Sequence, residues 1–263
     1  MEGKKGLIMG VVNKRSIAWA IAEKLRHAGA ELAFTYQGEP LEKRVAPLAQ
    51  ELGSSLVLPC DVEDEAQMDG LFTQLKKQWG QLDFALHSLA WSDKDQLRGP
   101  YIDTTQENFT RSLLISCYSF TAVARRCVPL MAEGGSLLTL SYYGAEKVIP
   151  HYNVMGVAKA ALEMSVRYLA VDLGGKNIRV NALSAGPLKT LAASGIGGLN
   201  LILKWNQHNA PLKRNVSLDD VAGGGYYLLS DLSKGVTGEV HHIDCGYHVV
   251  GMKAVDAPDI ALV

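Results

Sequence analysis

The chain has 263 residues, of which 48% are hydrophobic and 20% are charged, and its formal net charge is −1. This length and apolar content suit one large α/β domain with a substantial core. The near-neutral charge argues against nucleic acid or a membrane surface as a partner.

The four cysteines have no metal-binding or disulfide pattern: Cys60, Cys117, Cys127 and Cys245 stand in apolar surroundings without a C-x-x-C spacing. This favours reduced, buried thiols over disulfides or a zinc site, and we expect no metal. The N-terminus enters a strand-like run directly, without a signal sequence, and no apolar run approaches a membrane span. We therefore expect a cytoplasmic protein.

Apolar runs alternate with amphipathic segments along the whole chain. The predicted strands are 6–10, 31–36, 55–59, 84–87, 136–141, 179–184 and 240–244. The predicted helices are 16–27, 41–52, 65–79, 107–131, 152–173 and 219–229. Apolar strands separated by helices predict a doubly wound parallel sheet of the Rossmann type, covered on both faces. Neither a linker nor a repeat divides the series, so residues 1–263 are predicted to form a single domain.

One segment, 187–214, breaks this regularity. Its glycines and apolar residues predict a mobile, partly helical lid that closes over the substrate, with Ile196 and Leu199 among the substrate contacts. A permanently packed helix at the edge of the domain is the alternative.

Two tyrosines and a lysine are predicted to meet at one edge of the sheet. Tyr142 follows the apolar run SLLTLS, so it lies at the carboxyl end of a strand, where open α/β sheets bind ligands. Tyr152 and Lys159 are seven residues apart on a predicted helix and would share one face. Met155 shares that face and serves either the substrate pocket or packing alone.

The first strand leads into a candidate nucleotide-binding turn. Gly10 begins the turn, and Ser16 and Ile17 begin a helix whose free N–H groups could bind a pyrophosphate. The segment lacks G-x-G-x-x-G, so an ordinary turn with Ser16 as the helix N-cap is the alternative. Three other strand ends carry cofactor-compatible residues, namely 61–62, 88–90 and 184–190.

Six segments together resemble one family. They are GLIMGVVNKRSIAWAIA, AELAFTYQ, CDV, LLTLSYYGAEKVIPHYNVMGVAKAALE, RVNALSAGPLKTLAASGI and SDLSKGVTGEVHHIDCG. The combination resembles the bacterial NADH-dependent enoyl-acyl-carrier-protein reductases of the short-chain dehydrogenase/reductase superfamily, over nearly the whole chain. The resemblance implies a homotetramer, a role in fatty-acid elongation, and acyl carrier protein as the partner that delivers the substrate.

The resemblance also implies roles for individual residues. The implied catalytic residues are Tyr142, Tyr152 and Lys159. The implied cofactor contacts are Gly10, Ser16, Ile17, Gln37, Asp61, Val62, Leu89, Lys159, Leu188, Lys189, Thr190, Leu191 and Ala192. Ser92 is placed near the substrate, with Tyr142 and Tyr152. The chain departs from common members of the family at Met9, Ala90, Leu199 and Cys245, which bears on pocket shape.

The spacing Tyr-x6-Lys bears on the reaction. Ketoreductases of the superfamily have Tyr-x3-Lys, and a longer spacing moves the phenol farther along the helix. An enoyl reductase needs a more distant phenol, because hydride goes to C3 of the thioester and the oxygen that becomes negative is therefore farther from the nicotinamide. A 3-oxoacyl reductase and a non-enzymatic dinucleotide sensor are the alternatives.

Two further expectations concern the cofactor and the protein partner. Gln37 follows the second strand, where it could bind a ribose hydroxyl but offers no positive charge to a 2′-phosphate, so NADH is expected over NADPH. An acidic acyl carrier protein would need a local basic patch on this chain. Lys204, Lys213 and Arg214 are the candidates.

Overall fold

A sheet of seven parallel strands forms the centre of the molecule, in the order β3-β2-β1-β4-β5-β6-β7. The computed structural model describes residues 1–191, 193–195 and 197–259. The strands are β1 Lys5–Met9, β2 Glu31–Tyr36, β3 Val57–Pro59, β4 Phe84–His87, β5 Gly135–Ser141, β6 Ile178–Ala185 and β7 Val240–Ile243. All seven predicted strands are found. The inner strands are largely buried, as parallel strands covered on both faces are, whereas β3 and β7 at the two edges of the sheet are only partly buried.

Eight α-helices connect and cover the strands within the described residues. They are α1 Ile17–His27, α2 Gly38–Glu51, α3 Glu65–Trp79, α4 Gln106–Leu113, α5 Ser119–Cys127, α6 Val154–Gly174, α7 Leu199–Asn209 and α8 Leu218–Leu229. Local signals fix several ends. The Asp64 carboxylate accepts from two N–H groups at the start of α3, and Ser217 forms a capping box with Asp220 at the start of α8.

The helices lie on both faces of the sheet, and each face has its own apolar cluster. Ile21 of α1 and Leu228 of α8 are fully buried on one face. Leu75 of α3 and Leu162 of α6 are fully buried on the other. Burying each such side chain contributes about 1.5–3 kcal/mol, and the two clusters hold the sheet between two helical layers. The predicted doubly wound, Rossmann-type fold class is therefore confirmed.

The long helical segment predicted over 107–131 is found, but it is not one regular α-helix. The segment consists of α4, a π-helical turn at Leu114–Tyr118, α5, and a 3-10 turn at Val128–Leu130. Within the π-helical turn, Ser116 Oγ accepts from the N–H of Trp91 at 2.9 Å and donates to its carbonyl at 3.1 Å. The break thus coincides with a bond to the loop after β4, which periodicity along one helix does not reveal.

No helix among the described residues is long and apolar enough to cross a membrane.

Candidate functional site

The carboxyl ends of the central strands meet at one edge of the sheet. The register pairs Met9 of β1 with His87 of β4, and Ser141 of β5 with Ser184 of β6. The strand order reverses between β1 and β4, since β2 lies on one side of β1 and β4 on the other. A crevice at such a switch point is where doubly wound sheets bind dinucleotides.

The turn after β1 requires glycine. Gly10 has a φ of 94°, in the left-handed region that glycine adopts without strain. A Cβ at this position would lie 2.0 Å from the carbonyl oxygen of Ser88, which follows β4. The two loops therefore approach each other closely at the switch point, and a backbone cradle without side chains is what a dinucleotide phosphate requires.

Ser16 stands at the N-cap position of α1, as the alternative interpretation expected, but its side chain orders the turn and does not cap the helix. Its Oγ accepts from the N–H groups of Val12 and Asn13, both at 3.1 Å, and donates to the Asn13 carbonyl at 2.7 Å. The side chain thus points back into the turn. It leaves the first N–H groups of α1, from Ile17 onward, without a side-chain cap. An uncapped helix start with no acidic residue in its first turn fits a pyrophosphate.

Gln37 and Asp61, predicted cofactor contacts from different strand ends, are brought together. Gln37 follows β2, and its Nε2 donates to Asp61 Oδ2 after β3 at 2.9 Å. The other Asp61 oxygen accepts from the N–H of Glu63 at 2.9 Å. An amide held against a carboxylate suits ribose hydroxyls and would repel a 2′-phosphate. Val62 is partly buried against the core next to this pair.

The remaining predicted cofactor contacts lie on loops after β4 and β6. Leu89 and Leu188 are partly buried against the two cores, and Lys189 is exposed. Thr190 Oγ1 accepts from the N–H of Ala193 at 3.1 Å, and Leu191 is 52% exposed. Ala192 lies outside the described residues.

Tyr152 does not lie on the helix that carries Lys159, which corrects the one-face prediction. Helix α6 begins at Val154, and Asn153 before it has a φ of 39°, far from helical values. The Asn153 amide donates to the Gly99 carbonyl at 3.1 Å and to the carbonyls of Gln96 and Leu97 at 3.3 and 3.4 Å. This long-range anchor holds the turn out of the helix, and Tyr152 with it.

The Tyr152 ring nevertheless meets Tyr142. The two ring centroids are 5.0 Å apart at an interplanar angle of 74°. Burial raises the pKa of Tyr142 to about 12 and raises that of Tyr152 as well. Both phenols are therefore protonated at neutral pH and can donate hydrogen bonds. Gly144 permits this packing, since a Cβ there would lie 2.4 Å from the Tyr152 ring.

The Lys159 side chain is buried, and its ammonium group donates a hydrogen bond to a backbone carbonyl. It is 6% exposed, and its Nζ donates to the Leu140 carbonyl at the end of β5 at 2.7 Å. Burial lowers its pKa to about 8, against the opposing effects of Cys117 and Glu163. An ammonium has three donors, so this geometry leaves capacity for the hydroxyls of a ribose. Together with the Gly10 turn and the start of α1, the residues present fit a nicotinamide dinucleotide.

An apolar cavity of about 630 Å³ opens beside Tyr142. Leu201, Ile202 and Trp205 of α7 form one wall. The other lining residues are Tyr143, Val148, Ile149, Pro150, Gly186, Pro187, Asn206, Asp244, Tyr247, Lys253, Pro258 and Asp259. A cavity of this size and polarity suits an aliphatic chain.

The cavity involves residues that the sequence interpretation missed and omits several that it proposed. Tyr247 is held by Trp205 Nε1, which donates to its hydroxyl at 2.8 Å, and no local pattern pointed to this C-terminal residue. The described lining omits Ser92, Tyr152, Met155 and Leu199, and Tyr152 reaches the cavity only through its contact with Tyr142. Met155 is buried and lies 3.8 Å from the Ser116 hydroxyl, in agreement with the packing alternative.

Ser92 and Ile196 were also predicted to lie near the substrate. Ser92 Oγ donates to Asn108 Oδ1 at 3.2 Å, so its hydroxyl faces α4. Ile196 lies outside the described residues.

The segment predicted to be a lid is partly helical, as expected. It contains a 3-10 turn at Ala193–Gly195 and helix α7. Its mobility stays a prediction.

Comparison with known proteins points to the same family from sequence and from structure. The family model described as enoyl-(acyl carrier protein) reductase matches residues 10–248. Enoyl-(acyl-carrier-protein) reductase (NADH) 1 of Rhizobium meliloti (strain 1021) is 66% identical over 262 residues, covering 100% of this chain and 96% of the relative.

Two solved structures superimpose on nearly the whole chain. The reductase of Anaplasma phagocytophilum in complex with NAD has a TM-score of 0.94 at 59% identity, covering 98% of this chain and 97% of that one. The Bacillus cereus enoyl-acyl carrier protein reductase, solved with NADP+ and an indole naphthyridinone, has a TM-score of 0.94 at 49% identity, covering 95% and 98%. The family predicted from sequence is confirmed: the chain belongs to the enoyl-(acyl carrier protein) reductase family.

Proposed function

We propose that the chain reduces the 2,3 double bond of trans-2-enoyl thioesters on acyl carrier protein with NADH, in the last step of each fatty-acid elongation cycle. Relatives named as NADH-dependent enoyl reductases, and one solved with NAD, agree with the activity and cofactor predicted from sequence. One observation carries the proposal. The rings of Tyr142 and Tyr152 pack together and Tyr142 lines an apolar cavity, while Lys159 binds the Leu140 carbonyl two residues before Tyr142, at the carboxyl end of β5.

In this mechanism the chain binds NADH and the enoyl thioester, and it stabilises the negative charge that develops on the thioester oxygen. NADH, when bound, supplies the hydride for C3 of the enoyl thioester. Tyr152 donates a hydrogen bond to the thioester oxygen, on which negative charge develops as C3 is reduced; a preorganised donor of this kind is commonly a large catalytic contribution. Lys159 would hold the ribose hydroxyls of the cofactor with the N–H donors that do not bind the Leu140 carbonyl. Tyr142 shapes the cavity next to Tyr152. The enolate then takes a proton at C2 from solvent water, so that one hydride and one proton together saturate the double bond.

The proposal predicts a specific substrate pattern. Crotonyl thioester should stimulate NADH oxidation at 340 nm, a wavelength at which NADH absorbs, whereas acetoacetyl thioester and buffer alone should not. Because Gln37 is held against the Asp61 carboxylate, kcat/KM should be higher with NADH than with NADPH. Turnover of acetoacetyl thioester would favour a 3-oxoacyl reductase instead, and binding without turnover of either would favour a dinucleotide sensor.

NADH affinity should depend on pH through Lys159. Burial lowers its pKa to about 8, so the ammonium is charged below that pH and loses its proton above it. We expect a constant Kd below about pH 7, and a Kd that rises by up to about tenfold per pH unit well above 8. NADH fluorescence titrations across this range measure it. Lys159→Arg is the matched control: its guanidinium stays charged, so its Kd for NADH should not change over this pH range. A Kd that is equally independent of pH in the unsubstituted protein would contradict the assignment to Lys159.

We also propose that the chain forms a cytoplasmic homotetramer. An exposed apolar stripe on α6 supports self-association: Val157, Met164, Tyr168 and Val171 are 36–82% exposed and recur along one helix. Light scattering with size-exclusion chromatography tests this. Tyr168→Glu with Val171→Glu should reduce the assembly to smaller species, whereas Gln74→Glu with Gln78→Glu on exposed α3 positions should not.

The domain and partner proposals rest on α7 and its surroundings. We propose one catalytic domain over 1–263, with 187–214 as the lid over the acyl chain. Protection of this segment from proteolysis by NADH plus a substrate analogue would support closure.

For docking of acyl carrier protein, Lys204 is a better candidate than Lys213 or Arg214. Lys213 is paired with Asp256 at 3.3 Å, and Arg214 is paired with Asp220 at 2.5 Å. Raised KM for carrier-bound substrate in Lys204→Glu, with unchanged KM for coenzyme A thioesters, tests this site.

A further inference from the structure

A buried hydrogen bond joins the end of β5 to α6 directly behind the phenols. Ser141 Oγ donates to Glu163 Oε1 at 2.5 Å. Ser141 is 6% exposed and Glu163 is 5% exposed. A carboxylate at this depth is costly unless it is hydrogen-bonded or paired, and neither residue belongs to the catalytic or binding set derived above. Their position therefore needs an explanation.

The bond is one half of a two-point attachment. Leu140, the residue before Ser141, accepts from Lys159 at 2.7 Å. Lys159 and Glu163 are four residues apart on α6, so they lie on the same side of the helix. Two consecutive strand residues thus bind two helix residues one turn apart. Tyr142 follows immediately, so its position depends on both bonds.

The charge of Glu163 also acts on the buried ammonium of Lys159. Its negative charge favours the protonated form of Lys159 and so opposes the effect of burial on the lysine pKa. Cys117, from the π-helical turn, acts in the same direction only as a thiolate, and burial raises the pKa of this thiol. His87 of β4 is neutral, because burial lowers its pKa to about 3.

Other charged groups face Glu163 from neighbouring elements. Glu146, after β5, and burial both raise the Glu163 pKa, whereas Arg167 of α6, His242 of β7 and the Ser141 hydroxyl lower it. Burial has the largest effect, so the Glu163 pKa lies above its usual value. When it is ionised, the Glu163 carboxylate supplies negative charge that acts on Lys159.

We infer that Ser141 and Glu163 are positioning residues for the reaction: the hydroxyl fixes Tyr142 and the Leu140 carbonyl, and the carboxylate keeps Lys159 charged for the ribose. The inference rests on the proposed function for its effect on turnover. Its effect on NADH binding is independent of the substrate.

Two substitutions separate the two roles. Glu163→Gln keeps an oxygen that accepts from Ser141 but removes the charge. It should move the alkaline limb of NADH binding, and of kcat/KM, to lower pH by about 0.5–1 unit, which at pH 8.5 weakens NADH binding by about 3- to 8-fold. Ser141→Ala keeps the charge but removes the bond. It should lower kcat about 3- to 10-fold at every pH and leave the limb in place, and Ser141→Thr should restore most of kcat.

Glu133→Gln is the matched control, since it makes the same charge change on an exposed residue just before β5, at the opposite edge of the sheet. It should leave the pH profile unchanged. Thermal unfolding of each variant verifies that the compared proteins are folded. A Glu163→Gln protein that folds and binds NADH with the unsubstituted pH profile would overturn the electrostatic role. Unchanged kcat in Ser141→Ala would overturn the positional role. Loss of the proposed function would instead appear as no enoyl reduction by the unsubstituted chain.

Discussion

Tyr152→Phe should lower kcat for crotonyl thioester by about 10²-fold or more, with little change in the Kd for NADH. The substitution removes one hydroxyl and keeps the ring, which packs in a small cluster with Leu97, Val154 and Met155. Fold and cofactor site should therefore persist, and the loss should fall on the step in which the thioester oxygen becomes negative. Single-turnover kinetics with saturating NADH, together with fluorescence titration, measure the two quantities.

Tyr142→Phe is the matched control for this experiment. Its hydroxyl is equally part of the phenol pair, but its ring lies in the wall of the apolar cavity. We expect a smaller loss of kcat and a larger effect on KM, because this ring lines the cavity that we propose for the acyl chain. If Tyr142→Phe lost more turnover than Tyr152→Phe, the donor would be Tyr142 and the assignment of roles would reverse.

Lys159→Ala should weaken NADH binding by about tenfold or more and reduce turnover further. Hydrogen bonds to a charged group each contribute about 1.5–3 kcal/mol, and tenfold in affinity corresponds to about 1.4 kcal/mol. The substitution also leaves the Leu140 carbonyl without its donor. Equilibrium titration with NADH and steady-state kinetics check both effects.

Lys159→Gln distinguishes charge from hydrogen bonding. Its amide retains donors for the Leu140 carbonyl and a ribose hydroxyl but carries no charge. We expect affinity between that of the unsubstituted protein and that of Lys159→Ala, without the alkaline limb above pH 8. Affinity equal to that of the unsubstituted protein would show that the ammonium charge has no part in binding.

The inner strands of the sheet could be predicted from the sequence, because each is a short apolar run that is largely buried. Phe84–His87 has all four residues buried, and Gly135–Ser141 is buried over most of its length. Such strands need no information from distant residues. The sequence also placed Gly10 and Tyr142 at the carboxyl ends of strands, and the structure has them directly after β1 and β5.

The site departs from the sequence interpretation where distant contacts decide the backbone. Seven-residue spacing placed Tyr152 on the helix of Lys159, but Asn153 binds carbonyls in 96–99 and adopts a positive φ. Ser16 has the right residue type for an N-cap, yet its hydroxyl turns back to Val12 and Asn13. Neither long-range nor competing local hydrogen bonds appear in a residue pattern.

The far wall of the cavity shows the same limit. Tyr247, Lys253 and Pro258 come from beyond the last strand and reach the cavity only through folding. Tyr247 depends on its bond to Trp205, which is distant in sequence. The apolar residues of α7 were recognisable because they are too many for an exposed loop, but their partners across the cavity were not.

The position of hydride delivery tests the central claim most directly. NADH carrying two deuterium atoms at C4 of its nicotinamide, mixed with crotonyl thioester in ordinary water, should yield butyryl thioester with one deuterium at C3 and none at C2. Mass spectrometry and NMR of the product locate the label. Deuterium at C2, or a labelled 3-hydroxy product formed from acetoacetyl thioester under the same conditions, would contradict the proposal that this site stabilises the oxygen of an enoyl thioester during reduction at C3.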